Sequence, residues 1–203
     1  FESTRPRKKI TGWRPNRRNM SLPTAVEKLM FFDPEFQKYA SNFLAEHGSA
    51  AKTHAITTTD DLIAAVKEYS QVRYLEVVMH GSPGMIWFNS GGQMVASYLG
   101  TIINQSKMLA PDARVLFLGC NIAEGSAGDD FLSNVGRSMF SGTGGTVGGT
   151  DVTNVILGGK STRMNPLRFF DAKLKVRRFD ANGKMVAGEN VSYWGNRTSV
   201  NVP

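Results

Sequence analysis

Tyr74-Leu75-Glu76-Val77-Val78-Met79-His80-Gly81 and Arg114-Val115-Leu116-Phe117-Leu118-Gly119-Cys120-Asn121 decide how this sequence folds. Each is an apolar, β-branched run of strand length, the pattern of a strand buried on both faces of a parallel sheet. Each also ends on a residue able to do chemistry. The first ends on His80, the second on Cys120, the single cysteine of the chain. In open α/β sheets the working residues gather where the strands end, so the two runs are expected to bring an imidazole and a thiol to one edge.

Outward from this pair, strands and helices alternate. Lys52–Thr57 alternates polar and apolar residues as a strand, with His54 on its polar, surface phase. Thr59-Asp60-Asp61 opens a helix through Tyr69, its acidic residues placed in the first turn where the helix dipole favours them. Strand, helix, strand then implies a right-handed parallel unit. After His80, Gly81-Ser82-Pro83-Gly84 must turn sharply, and Met85–Phe88 forms a short strand of a hairpin. Residues 93–109 carry apolar side chains at helical spacing until Pro111-Asp112, and they return the chain to the second run. A further helix puts Phe131, Leu132, Val135 and Met139 on one face.

Upstream, Val26, Leu29 and Met30 behind Thr24 and Glu27 read as a short capped helix. Pro34 opens a second helix, with Phe36, Tyr39, Ala40, Phe43 and Leu44 at helical intervals and a stop at His47-Gly48. Downstream come a glycine-rich loop with a short strand at Thr146-Val147, and an apolar run at Val155–Leu157. Leu174–Phe179 and Met185–Tyr193 flank Asp180-Ala181-Asn182-Gly183 as a basic hairpin with an Asn-Gly turn.

With 203 residues, 41% apolar and 20% charged, the chain supports one well-buried core. A lone cysteine excludes an internal disulfide, and no apolar run approaches the roughly 20 residues that span a bilayer. The first residue is Phe1 rather than Met, which is expected of a processed product or an excised domain. The net charge of +7 is concentrated at the two ends. Residues 1–21 are expected to be a basic extended arm anchored by Trp13. Residues 22–203 then form a single domain, with a core over about 52–157 and a C-terminal β-flap over about 168–203. Basic ends attract polyanions, such as a small polyphosphate, and equally describe a solvated tail.

The thiolate is the nucleophilic form of cysteine, so a catalytic Cys120 needs a partner for its proton and donors for the oxyanion that attack creates. His80 fits the first need, activating the thiol and later protonating a leaving amine. The backbone N–H groups of Gly81 and Cys120 fit the second, because glycine lets backbone approach a substrate closely. Taken singly, a strand-end cysteine is a small buried hydrophobe and a His-Gly pair is a turn. Their conjunction on two strands of one type points to catalysis.

An apolar strand ending in His-Gly, followed about forty residues later by one ending in a small residue and Cys, resembles the caspase-like cysteine peptidases. That group includes caspases, legumain, gingipains, clostripain and the self-cleaving cysteine protease domains of large bacterial toxins. The block from Thr53 to Asp151 is more similar still to a bacterial domain of uncharacterised function found in large repeat-bearing surface proteins. The resemblance implies a caspase–hemoglobinase-like three-layer α/β sandwich, with a mostly parallel central sheet flanked by helices and a basic C-terminal hairpin. It implies a Cys120–His80 dyad with Gly81 and Cys120 as the oxyanion hole, acting on a polypeptide substrate that includes the chain's own precursor. It also implies a secreted or cell-surface bacterial setting. Cys120 lacks the Gln-Ala-Cys-Arg-Gly surroundings of caspases, and Leu118 stands where metacaspase-like members carry Asp. Neither acidic nor basic specificity therefore transfers.

Asp129, Asp130 and Asp151 are candidates for a pocket that receives a basic side chain, and they also read as a helix start and a turn. No metal or cofactor is required by this chemistry. The toxin domains close with a β-flap that binds inositol hexakisphosphate, which marks Lys173, Lys175, Arg177, Arg178 and Lys184 as the corresponding polyanion-binding candidates. Two other readings remain open: an inactive caspase-like scaffold that binds peptide, and a polyanion-binding module in which Cys120 and His80 are incidental. Nucleic acid is not the expected partner, and no membrane span is expected.

Overall fold

A computed structural model describes residues 22–151, 174–191, 197–200 and 202. The expected arm at 1–21 with Trp13, the run Val155–Leu157 and Lys173 lie outside these residues. In chain order the first elements are β1 (Thr24–Ala25), β2 (Lys28–Phe32), α1 (Gln37–His47), β3 (Ala51–Ala55) and α2 (Thr59–Ala65). Next come β4 (Tyr69–Ser70), β5 (Val72–Val78), β6 (His80–Ser82), β7 (Met85–Trp87), β8 (Gln93–Met94) and α3 (Ala96–Ser106). The last are β9 (Leu109–Phe117), α4 (Gly125–Met139), β10 (Gly145–Thr150), β11 (Leu174–Phe179), β12 (Met185–Val191) and β13 (Arg197–Ser199).

Eight strands form one mixed sheet in the order β3-β2-β5-β9-β10-β11-β12-β13. The pairs from β3 to β10 are parallel, and those from β10 to β13 are antiparallel. Helices cover both faces of the parallel part. Along β2, Leu29 and Phe31 enter one cluster with Leu62 of α2, Leu99 of α3 and Phe131 of α4. Met30 and Phe32 enter a second cluster with Tyr39, Ala40 and Phe43 of α1. Burying one such leucine or phenylalanine contributes roughly 1.5–3 kcal/mol.

The expected helix at Thr24–Met30 is instead strand. Leu29, Met30, Phe31 and Phe32 are all buried, so β2 is packed on both faces and reads as a continuous apolar run. Such a run satisfies a helical period as readily as a strand period. Thr24 does not cap a helix; it pairs with Tyr69 in a two-stranded ribbon. As a consequence β2 lies between β3 and β5, and the strand at 51–55 is the outermost parallel strand rather than the direct neighbour of β5.

The other elements appear where their signals put them with shorter bounds: the helix expected through Tyr69 ends at Ala65 and leaves Tyr69 to β4, and Gln93-Met94, expected to open a helix, pair instead as β8. Asp33 caps the short 3-10 turn Pro34–Phe36 that leads into α1, and Gly48 at φ 62° ends that helix. α2 starts from a capping box in which the Thr58 side chain accepts from the Asp61 N–H and Asp61 accepts from the Thr58 N–H. α3 stops at Lys107, and Pro111-Asp112 falls inside β9 rather than at the helix end. The Asn-Gly hairpin joins β11 to β12 as expected, with Asp180 accepting the N–H groups of Asn182 and Lys184. No helix among the described residues is long and apolar enough to cross a membrane.

Candidate active site

The row Phe31, Val77, Phe117 and Gly149 runs straight across β2, β5, β9 and β10. All four strands point the same way, so everything just beyond that row emerges at one edge of the sheet. His80 lies three residues past Val77, and Cys120 three past its register partner Phe117. Parallel pairing of adjacent strands therefore brings the two to the same edge.

The backbones that carry them touch. A Cβ added to Gly81 would lie 3.1 Å from the Cys120 carbonyl oxygen and 3.3 Å from the Cys120 nitrogen. One added to Gly119 would lie 3.2 Å from the Gly81 Cα and 3.4 Å from the Gly81 nitrogen. Glycine on both sides makes this approach possible, and it places the Gly81 and Cys120 amides together. The Cys120 turn is held from three directions. Thr150 donates to the Gly119 carbonyl, the Gly84 N–H donates to the Ile122 carbonyl, and the Ala123 N–H donates to the Thr150 carbonyl. α4 rests directly on this turn at Gly128, where a Cβ would come within 2.0 Å of Ala123.

His80 stands at the start of a separate three-stranded sheet, β6-β7-β8. Its Nε2 is 2.9 Å from Glu35 Oε2. Its ring lies nearly parallel to Trp87, centroids 6.3 Å apart, and tilted against Phe36 at 5.2 Å. An ionised carboxylate accepts and does not donate, so Glu35 fixes the neutral-ring proton on Nε2 and leaves the lone pair on Nδ1. Glu35 is itself held. Asp33, only 2% exposed at the end of β2, accepts the N–H of Glu35 with one oxygen and that of Asn89 with the other. The buried carboxylate thus ties the turn that bears Glu35 to the loop that follows β7.

Asp33, Glu35, Phe36 and Trp87 were not among the residues expected at the site. The signal for Asp33 and Glu35 was present in Leu29-Met30-Phe31-Phe32-Asp33-Pro34-Glu35, a third apolar run ending on residues able to do chemistry. Reading that run as a helix hid it.

A family model described as Domain of unknown function (DUF4347) matches residues 29–143, more than half of the chain. The chain belongs to that family. No curated protein and no solved structure matches it. The DUF4347 match opens in β2 and closes beyond α4, so it takes in Asp33, Glu35, His80, Gly81 and Cys120 and leaves β10 to β13 outside.

The acidic candidates of this DUF4347 chain separate from one another. Asp129 is held in the C-terminal ribbon: Lys175 Nζ lies 3.1 Å from one of its oxygens and Arg177 Nη2 lies 2.7 Å from the other. Asp130, its exposed neighbour, turns to a groove beside β7, β8 and the start of α3. Asp151 follows β10 at the edge that carries Cys120.

The basic candidates do not share one surface. Lys175 and Arg177 are 7% and 3% exposed and face α4, with Lys175 also donating to the Gly125 carbonyl. Arg178 lies on the opposite face of β11 by strand alternation, and Lys184 is exposed in the turn. Of the expected cations among the described residues, Lys175 and Arg177 are thus paired with Asp129, while Arg178 and Lys184 lie apart from them.

Proposed function

We propose that this chain is a cysteine peptidase with Cys120 as nucleophile, His80 as general base and acid, and Glu35 as the carboxylate that orients His80. The observation that supports the reading is the close approach of Gly81 to Gly119 and Cys120 on two adjacent parallel strands, whose ends carry His80 and Cys120 at one sheet edge. The finer fold assignment, a caspase–hemoglobinase-like sandwich, belongs to the same proposal. It is supported by helices on both faces of the sheet and by the order of the His-bearing and Cys-bearing strands.

The reaction follows from the residues. His80 Nδ1 takes the Cys120 thiol proton, and the sulfur attacks the peptide carbonyl carbon. The carbonyl oxygen becomes an oxyanion beside the Gly81 and Cys120 amides. Collapse breaks the C–N bond, and His80 returns its proton to the leaving amine. Water, deprotonated by His80, then cleaves the thioester to a carboxylate and restores the thiol. Through each step Glu35 holds Nε2–H and balances the imidazolium charge. The substrate class is polypeptide, including the precursor of the chain itself.

Alkylation by iodoacetamide at neutral pH tests the first step without any knowledge of the substrate. Cys120 is expected to react rapidly, and His80→Ala is expected to slow it by about a hundredfold, the lower end of what a positioned base contributes. A rate that ignores His80→Ala overturns the dyad. Intact-mass analysis of the wild type against Cys120→Ala, each expressed with upstream sequence, then reads self-cleavage.

A further inference from the structure

Beside the proposed dyad a groove of about 360 Å³ opens between the β6-β7-β8 sheet and α4. Its floor connects to the Cys120 turn, because Gly84, which lines it, donates its N–H to the carbonyl of Ile122. Met85, Met94 and Phe131 supply apolar walls. Val95, 65% exposed, forms an apolar rim that nothing among the described residues covers. The one charged side chain of the lining is Asp130.

The contrast between two successive aspartates gives the groove its character. Asp129 is neutralised by Lys175 and Arg177, and it faces the ribbon. Asp130 makes no ion pair among the described residues, and its carboxylate is left to the groove. Thioether and aromatic walls suit a flexible aliphatic stem, and a carboxylate at the open side suits the cation at the end of such a stem.

We infer that this groove takes a lysine or arginine side chain of the polypeptide substrate, with Asp130 as the specificity-determining residue. The identity of the substrate rests on the peptidase reading above, whereas the preference of the groove for an alkyl cation does not.

The closing experiment therefore uses a probe that needs no catalysis. Butylguanidinium is titrated into the full chain and into Asp130→Asn, with butylurea as the uncharged isostere, and binding is read from backbone amide chemical shifts. Shifts at Gly84, Val95 and Asp130 that saturate for butylguanidinium, and an affinity about fivefold weaker both for butylurea and in Asp130→Asn, are expected of a partly exposed ion pair. Equal affinity for the two probes, no effect of Asp130→Asn, or shifts confined to another surface overturns the inference. Mapping of casein cleavage products reports on the peptidase reading separately. Cleavage without butylguanidinium binding at the groove leaves the enzyme and removes the subsite. Binding without cleavage leaves the subsite and removes the enzyme.

Discussion

The parallel half of the sheet and its antiparallel extension use charge in opposite ways. In the parallel half, β2, β5 and β9 close on apolar runs interrupted only by the buried Glu76 of β5, and Asp33, Glu35, His80 and Cys120 are set just beyond those runs. In the extension, β11 carries Lys175 and Arg177 within the strand, buried against α4 and paired with Asp129. Among the polar groups beyond the strand ends Glu35, His80 and Cys120 are at least partly exposed, whereas the cations inside β11 are committed to holding two elements together. Positive charge in a sequence is therefore a poor guide to anion binding unless its partners are known.

The largest expected effect that breaks this comparison is Asp129→Ala. It leaves Lys175 and Arg177 buried without their carboxylate, at a cost of about 3 kcal/mol, the lower end for a broken buried pair because both cations keep carbonyl acceptors. Urea denaturation measures it, and a loss below ~1 kcal/mol would class the network with weak surface pairs. At the strand ends the corresponding change is Glu35→Gln. It is expected to lower peptide hydrolysis and Cys120 alkylation about tenfold while leaving the urea midpoint in place. Glu35→Asp recovering part of the rate would sharpen the orienting role, and an unchanged alkylation rate would remove it.

A smaller effect belongs to Thr58→Ala, which deletes half of the α2 capping box and is expected to cost about 1 kcal/mol. The smallest is a dependence on pH away from the site. Hydrogen bonds from the Thr57 hydroxyl and amide, and then from Thr58, hold the Asp61 carboxyl below its ordinary range. The Lys184 N–H, and then that of Asn182, do the same for Asp180. Both groups have folded-state values below their unfolded ones, so their contribution is present above the ordinary carboxylate range and is lost as pH falls through the folded values. Thermal midpoints that rise on acidification would contradict this sign.

Much of this was legible in the sequence, for reasons that differ by element. The strands at Tyr74–Val78 and Arg114–Phe117 announced themselves because they are long apolar runs with a chemically distinct residue at the end. α1 and the Asn-Gly hairpin carried unambiguous start and stop residues. β2 was misread because its four buried residues in succession, Leu29–Phe32, contain no period to distinguish strand from helix, and with it went Asp33 and Glu35. The pairing of Lys175 and Arg177 with Asp129 joins residues 46 and 48 positions apart, and no local pattern encodes a contact of that range.

His80 rides on a small sheet of its own, whereas Cys120 leaves the main one. The proposed base and nucleophile therefore belong to two sheets, joined by the hydrogen bonds of Gly84 to Ile122, Asn89 to Asp33 and Ser90 to Thr57 and by Ile86, Phe88 and Met94, which are buried in the common core. Amide exchange in residues 80–94 therefore reports at once on the setting of His80 and on the core into which Ile86, Phe88 and Met94 are packed.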